Sequence, residues 1–178
     1  HFTIHSFPTR RSSDLALVNP AEMLTYSVLG LLAGAVAVLF IRLLSLSEEL
    51  LDRLRGVPLA ARPVLGGLGV GALALAVPEV MGVGYDTITS ALRAELVLGV
   101  LMAVLGAKLL ATCLTLGSGG SGGIFAPSLL MGAALGGSVG MAARSLLPFS
   151  MASPGAYAVV GMGAMVAATT HAPITAIV

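Results

Sequence analysis

Residues 117–127 read GSGGSGGIFAP, five glycines and two serines set between two long apolar runs. Such a stretch lays its main chain bare, and bare main chain can bind anions, cradle phosphates or serve as a hinge. The string satisfies G-x-G-x-x-G at Gly117, Gly119 and Gly122, the spacing of a dinucleotide site. That fingerprint needs a buried strand before it and an acid about 20 residues after it to hold the ribose. Here the preceding apolar run has helix length, and no Asp or Glu follows Glu95. A phosphate loop fails as well, because no Gly-Lys-Ser/Thr follows the glycines.

Two possibilities stay open. One is a hinge or re-entrant turn whose glycines serve only close packing. It accounts for the glycines better than for their position, since apolar residues flank them immediately. The other is an anion site made from a broken helix. Irregular backbone at membrane depth survives only where protein or water satisfies it. A helix starting near Ile124 presents its first unpaired N–H groups, and a dipole end of roughly half an elementary charge, toward such a cavity. Pro127 fits the first turn, where its missing N–H would have no helical partner anyway. Gly122 and Gly123 let an ion approach the main chain with no Cβ in the way. Fixed N–H dipoles hold a small anion without the full charge that would retain it too long.

The remaining reactive side chains offer little. Cys113 has no partner for a disulfide or a metal cluster, and His1, His5 and His171 fit no metal-ligand spacing. Lys108 lies inside an apolar run, so it faces protein or water rather than lipid. Snorkelling, or pairing with a neighbouring helix, is the simpler role for it. With a net charge of +1, three Tyr, five Phe and no Trp, the chain has neither the charge nor the stacking platform of a nucleic-acid binder.

The elements that must position the glycine stretch are membrane helices. Hydrophobic residues make up 57% of the 178 residues, charged ones only 10%, and mean hydropathy is +1.01; soluble domains carry about 25% charged residues. Residues 20–54 form one long segment, apolar over 23–46 and amphipathic after it, stopped by Gly56 and Pro58. Arg53, Arg55 and Arg62 place that turn on the cytoplasmic side. Residues 64–83 form a Gly/Ala-rich run in which Gly67 and Gly71 have the spacing of a close helix contact. A polar interlude with Pro78, Glu79, Gly82 and Gly84 leads into a short helix over 86–93, followed by spans over 95–116 and 125–147 and a helix over 157–170. The last residues, with Pro173, read as an unfinished helix. The first fifteen, HFTIHSFPTRRSSDL, differ from all of this and read as a foreign tail or a disordered lead-in; residues 16–178 are the membrane domain, truncated at both ends.

GGIFAPSLLMG resembles the G-x-F-x-P signature of the CLC family of chloride channels and chloride/proton exchangers, with Gly123, Phe125 and Pro127 at the signature positions. AKLLATCLTLGSGGSGGIFAP is similar to that family's span, linker and broken helix in order. PEVMGVGYDTI and GMGAMVAATTHAPITAIV resemble the segments on either side. The resemblance covers residues 20–178 and implies an all-α polytopic fold of two inverted halves, this chain being most of the second. It implies a homodimer with one pore per subunit, in a bacterial plasma membrane. It also implies that the amides of Ile124 and Phe125 bind the central chloride, with Gly122 and Gly123 shaping the approach.

The family's G-S-G-x-P and G-K/R-E-G-P elements are absent. Ser118 sits in the linker without the following proline and is not assigned the family's serine role, nor is Tyr157 the counterpart of its tyrosine. The implied function is transport of chloride, or of nitrate, fluoride or another anion, with no covalent chemistry, no cofactor and no metal. The rival is a non-conducting, helix-packing membrane fragment.

Overall fold

The computed structural model describes residues 22–53, 58, 61–146 and 152–175. The leader, Arg55 and Gly56 lie outside the described residues, as does the side chain of His171. Among the described residues six helices follow one another: α1 Glu22–Arg53, α2 Arg62–Ala76, α3 Tyr85–Leu92, α4 Leu98–Gly117, α5 Phe125–Leu146 and α6 Pro154–Thr175, with a 3-10 turn at Pro78–Val80. Among the described residues there is no strand, in keeping with the all-α expectation. Helices α1, α4 and α5 are long and apolar enough to cross a membrane, with mean hydropathies of 2.3, 1.9 and 1.4.

Helix α1 buries a single stripe, Leu29, Ala33, Ala37 and Phe40, at the three- and four-residue steps that line one helix face. Tyr26, Val36, Ile41, Leu43 and Leu44 pack beside it half-buried, while Leu24 and Leu31 on the other side are exposed. At its charged end Asp52 accepts a 2.6 Å ion-pair hydrogen bond from Arg62, tying α1 to α2.

Helix α2 is shorter than the apolar run suggests. Its 15 residues rise about 22 Å, less than the roughly 30 Å of a hydrocarbon core. Pro78 is the cause: it disfavours helix in the residue before it, and Val77 is extended at φ −135°, ψ 85°. Helix α6 starts three residues before the expected 157, because Ser153 caps it. The Ala156 N–H donates to Ser153 Oγ at 3.3 Å, and Pro154 fills the first position, where proline is favoured. The helix continues through Pro173 to Thr175, where a break was expected.

The glycine contact predicted at Gly67 and Gly71 falls elsewhere. A methyl group on either would meet no described atom within 4 Å, whereas one on Gly66 would lie 2.8 Å from Leu114 O and would overlap Ser118. Helices α2 and α4 therefore approach at Gly66, one residue off the expected face. We predict that Gly66→Ala lowers stability by about 1–3 kcal/mol through overpacking. Gly67→Ala should instead raise it by about 0.5–1 kcal/mol through helix propensity. Thermal unfolding in detergent checks both signs.

The deepest packing joins α5 to α6. A Cβ on Gly132 would lie 2.5 Å from Gly161 O, one on Gly136 2.7 Å from the Tyr157 carbonyl carbon, and one on Gly140 2.9 Å from Tyr157 Cβ. The two backbones thus touch directly, the close approach that small residues at four-residue spacing permit. At one end of this pair the buried Glu22 carboxylate accepts the Ala152 N–H, Thr25 and Tyr157 share a 2.8 Å hydroxyl hydrogen bond, and the Tyr26 and Tyr157 rings lie 4.8 Å apart.

Candidate functional site

The glycine stretch divides into two parts. Its first half ends α4. The Gly120 N–H donates to Thr115 O and the Gly119 N–H to Leu116 O, both at 2.9 Å, the paired bonds that close a helix C-terminus around a left-handed residue. That residue is Gly119, at φ +80°, where any Cβ would cost roughly 1–2 kcal/mol. Ser118 is buried and its hydroxyl donates to Thr115 O at 3.0 Å. A methyl on Gly117 would strike Ser47 Cβ at 2.5 Å and come within 3.2 Å of Glu48 N. The stretch therefore begins beside the point where α1 changes from apolar to charged, not beside the middle of α1.

The second half opens α5. The Ser128 N–H makes the first helical hydrogen bond, to Ile124 O at 3.0 Å, so Ile124 is the N-cap. The amides of Ile124, Phe125 and Ala126 donate to no described residue, and Pro127 has no N–H to offer. Three donors are left at the positive end of a 22-residue helix. Ile124 and Phe125 are the two expected from the sequence; Ala126 is a third, found by following the helix start one residue further.

Buried polar groups fix the peptide that joins Ile124 to Phe125. Ser128 is fully buried and donates its hydroxyl to Ile124 O at 2.7 Å, and Thr169 on α6 donates to Ser128 Oγ at 3.2 Å. Two hydrogen bonds on that carbonyl orient the N–H on its other side and polarise it. Neither Ser128 nor Thr169 was singled out in the sequence. A serine four residues after the N-cap was the available signal.

A cavity of about 440 Å³ lies between α2, the 78–84 turn, α4 and the start of α5, lined among others by Val70, Val80, Lys108, Thr112, Ser121, Gly122, Gly123, Ala126 and Pro127. It gathers Gly122, Gly123 and Pro127 of the expected set; Ile124 and Phe125 do not line it, and Phe125 is 63% exposed. Lys108 faces protein, as expected. It is buried and its ammonium donates to Val80 O at 2.9 Å and Gly82 O at 2.7 Å, holding the turn against α4. Cys113 is buried, its thiol directed to Phe40 O at 3.7 Å. Among the described residues no group of three or more His, Cys, Asp or Glu is placed to hold a metal.

Because the Ser118 hydroxyl is committed to the α4 cap, Ser118→Ala is expected to leave anion affinity within about twofold while lowering stability by about 1 kcal/mol, the worth of one neutral hydrogen bond. Anion titration and thermal unfolding of the same variant check the two halves separately.

The family model described as "Voltage gated chloride channel" matches residues 3–178. A putative chloride channel protein ClcB-like from Ralstonia nicotianae is 46% identical over 156 residues, covering 88% of this chain and 36% of the relative. Chloride channel protein CLC-f from Arabidopsis thaliana is 34% identical over 190 residues, 99% of this chain and 23% of the relative. The H(+)/Cl(−) exchange transporter ClcA from Citrobacter koseri is 37% identical over 156 residues, 86% of this chain and 33% of the relative. The chain thus spans between about a quarter and about a third of these relatives.

Proposed function

The chain belongs to the voltage-gated chloride channel family, and from that premise we propose that the protein containing it carries chloride, or a similar small anion, across a membrane. The ion is held by the amides of Ile124 and Phe125, with Ala126 beside them and Gly122 and Gly123 forming the approach. The observation that carries this is the trio of N–H groups at the start of α5 that donate to no described residue. Anions suit such a place because the donors and the helix dipole have the same sign. Gly123 leaves room for an ion: a methyl there would meet nothing within 4 Å.

Two further features support a transported rather than a permanently bound ion. The holding groups are dipoles, which bind a halide without the full charge that would slow its release. The interrupted helix pair, α4 then α5, is also how many transporters place substrate between half-helices. A homodimer in a bacterial plasma membrane, without cofactor or covalent chemistry, belongs to the same proposal; two of the relatives above are bacterial.

The test is flux from liposomes holding the full-length protein. Chloride efflux that stops without a counter-ion path marks an anion carrier or channel. Chloride-driven proton uptake in the same vesicles marks an exchanger, and its absence a channel. Vesicles that leak no anion, chloride, nitrate or fluoride, would leave α5 a packing element.

A further inference from the structure

We propose that Thr169 is a positioning residue for the anion, acting through Ser128: the two form a hydroxyl relay between α6 and α5 whose direction sets how strongly the Phe125 N–H donates. The proposal rests on the transport reading above and adds to it a second helix and a device with two positions.

The relay ends on one peptide. Ile124 O and the Phe125 N–H belong to the same amide group, so a hydrogen bond to the oxygen polarises the group and strengthens the N–H as a donor. The oxygen accepts the Ser128 N–H at 3.0 Å and the Ser128 hydroxyl at 2.7 Å. The first bond belongs to the helix and persists. The second depends on where the Ser128 proton points, and a hydroxyl has only one proton.

Thr169 decides that direction. Its hydroxyl also has a single proton, but three acceptors lie in reach: Ser128 Oγ at 3.2 Å, Met165 O at 2.9 Å and Val166 O at 3.2 Å. When Thr169 donates to Ser128 Oγ, the Ser128 proton is directed to Ile124 O and the two bonds reinforce each other. When it turns to a carbonyl of its own helix, Thr169 Oγ1 offers a lone pair to Ser128 instead. The Ser128 proton then leaves Ile124 O, which keeps the backbone bond alone.

Burial makes the choice between these arrangements matter. Ser128 is fully buried and Thr169 is 3% exposed, so bulk water does not stand in for either partner. The glycine seam beside them, where a Cβ on Gly132 would lie 2.5 Å from Gly161 O, fixes the separation of α5 and α6. The relay therefore switches by turning hydroxyls, with the helices in place. An anion on the Phe125 amide gains from the first arrangement, and by linkage its arrival favours that arrangement in return. Thr170 is the natural control: it is exposed and its hydroxyl bonds to Val166 O on its own helix.

The experiment is isothermal titration of the full-length protein in detergent with chloride, with thermal unfolding of each variant alongside. Thr169→Val keeps the side chain's shape and removes the hydroxyl. It and Ser128→Ala are each expected to weaken chloride about two- to fivefold, the effect of losing cooperative strengthening in one bond to an ion. Because Thr169 acts only through Ser128, the double variant should bind no more weakly than Ser128→Ala alone. Thr169→Ser, which restores the hydroxyl, should return to within about 1.5-fold of the parent, and Thr170→Val should leave affinity unchanged. A packing role would lower the unfolding temperature of Thr169→Val but leave its affinity equal to that of Thr169→Ser. That equality, or losses that multiply in the double variant, would overturn the relay while leaving the α5 site standing. If Ser128→Ala does not fold, Thr169→Val against Thr169→Ser decides alone. Absence of chloride binding and flux in the unsubstituted protein would sink the transport reading itself.

Discussion

Phe125→Pro should weaken anion binding roughly ten- to hundredfold relative to Phe125→Ala, with both proteins folded. Proline at the first position of a helix is tolerated, and even favoured, because its ring imposes a φ the helix already needs. What it removes is the Phe125 N–H, one of three donors at the start of α5 without a described acceptor. A hydrogen bond to a charged partner is worth about 1.5–3 kcal/mol, which at 1.4 kcal/mol per decade sets the size of the effect. The alanine variant is the necessary comparison. It loses the same phenyl ring, which is largely exposed, but keeps the amide. Isothermal titration with chloride should therefore separate the two variants strongly and the alanine variant from the parent only slightly. Equal affinities for the two would show that the side chain, or nothing at residue 125, matters to the ion.

Gly136→Val should have the largest effect on stability, on the order of 3–5 kcal/mol, the range of the severest point mutations. A Cβ there would overlap Tyr157 O and come within 2.9 Å of Ala158 Cα. These are backbone atoms of a helix and cannot rotate aside. Across the same contact, a Cβ on Gly161 would lie 2.9 Å from Gly136 Cα, so neither helix can shift without losing the other's packing. Gly163→Ala is the control, since a methyl there meets nothing described within 4 Å. Gel filtration and thermal unfolding in detergent should show Gly136→Val aggregated or strongly destabilised and Gly163→Ala intact. Because Thr169 on α6 steadies Ser128 beneath the N-cap, separating α5 from α6 should also cost anion binding in whatever folded fraction survives.

The contrast between these glycines shows what the sequence could and could not reveal. Long spans were legible because apolar runs of bilayer length have few alternatives, and the start of α5 at Ile124 and Phe125 was legible because Pro127 marks a first turn. The pairing of helices was not. Gly67 and Gly71 have the same four-residue spacing as Gly132, Gly136 and Gly140, yet only the second set meets a partner backbone. Spacing names a face, and tertiary packing decides whether another helix covers it. The 64–83 run misled for a related reason: its hydropathy continues past Val77, but Pro78 ends the helix regardless of polarity.

Within the glycine stretch, composition alone could not separate structural from functional glycine. Gly119 closes α4 with a left-handed turn, while Gly122 and Gly123 face the cavity. Ser118 and Ser121 divide in the same way, one spent on a cap and the other with its donors free. The role of Lys108 was half visible: a lysine at mid-span had to face protein, but its carbonyl partners on the 78–84 turn are 26 and 28 residues away. No local pattern connects them.

The most direct measurement is anomalous diffraction from crystals of the full-length protein grown in bromide. The account predicts a bromide peak within about 3.5 Å of the amide nitrogens of Ile124 and Phe125, the reach of an N–H donor to a large halide with slight lengthening, and its disappearance in Phe125→Pro. Well-ordered crystals with no peak at the start of α5, or with protein oxygens already bonded to those amides, would contradict it.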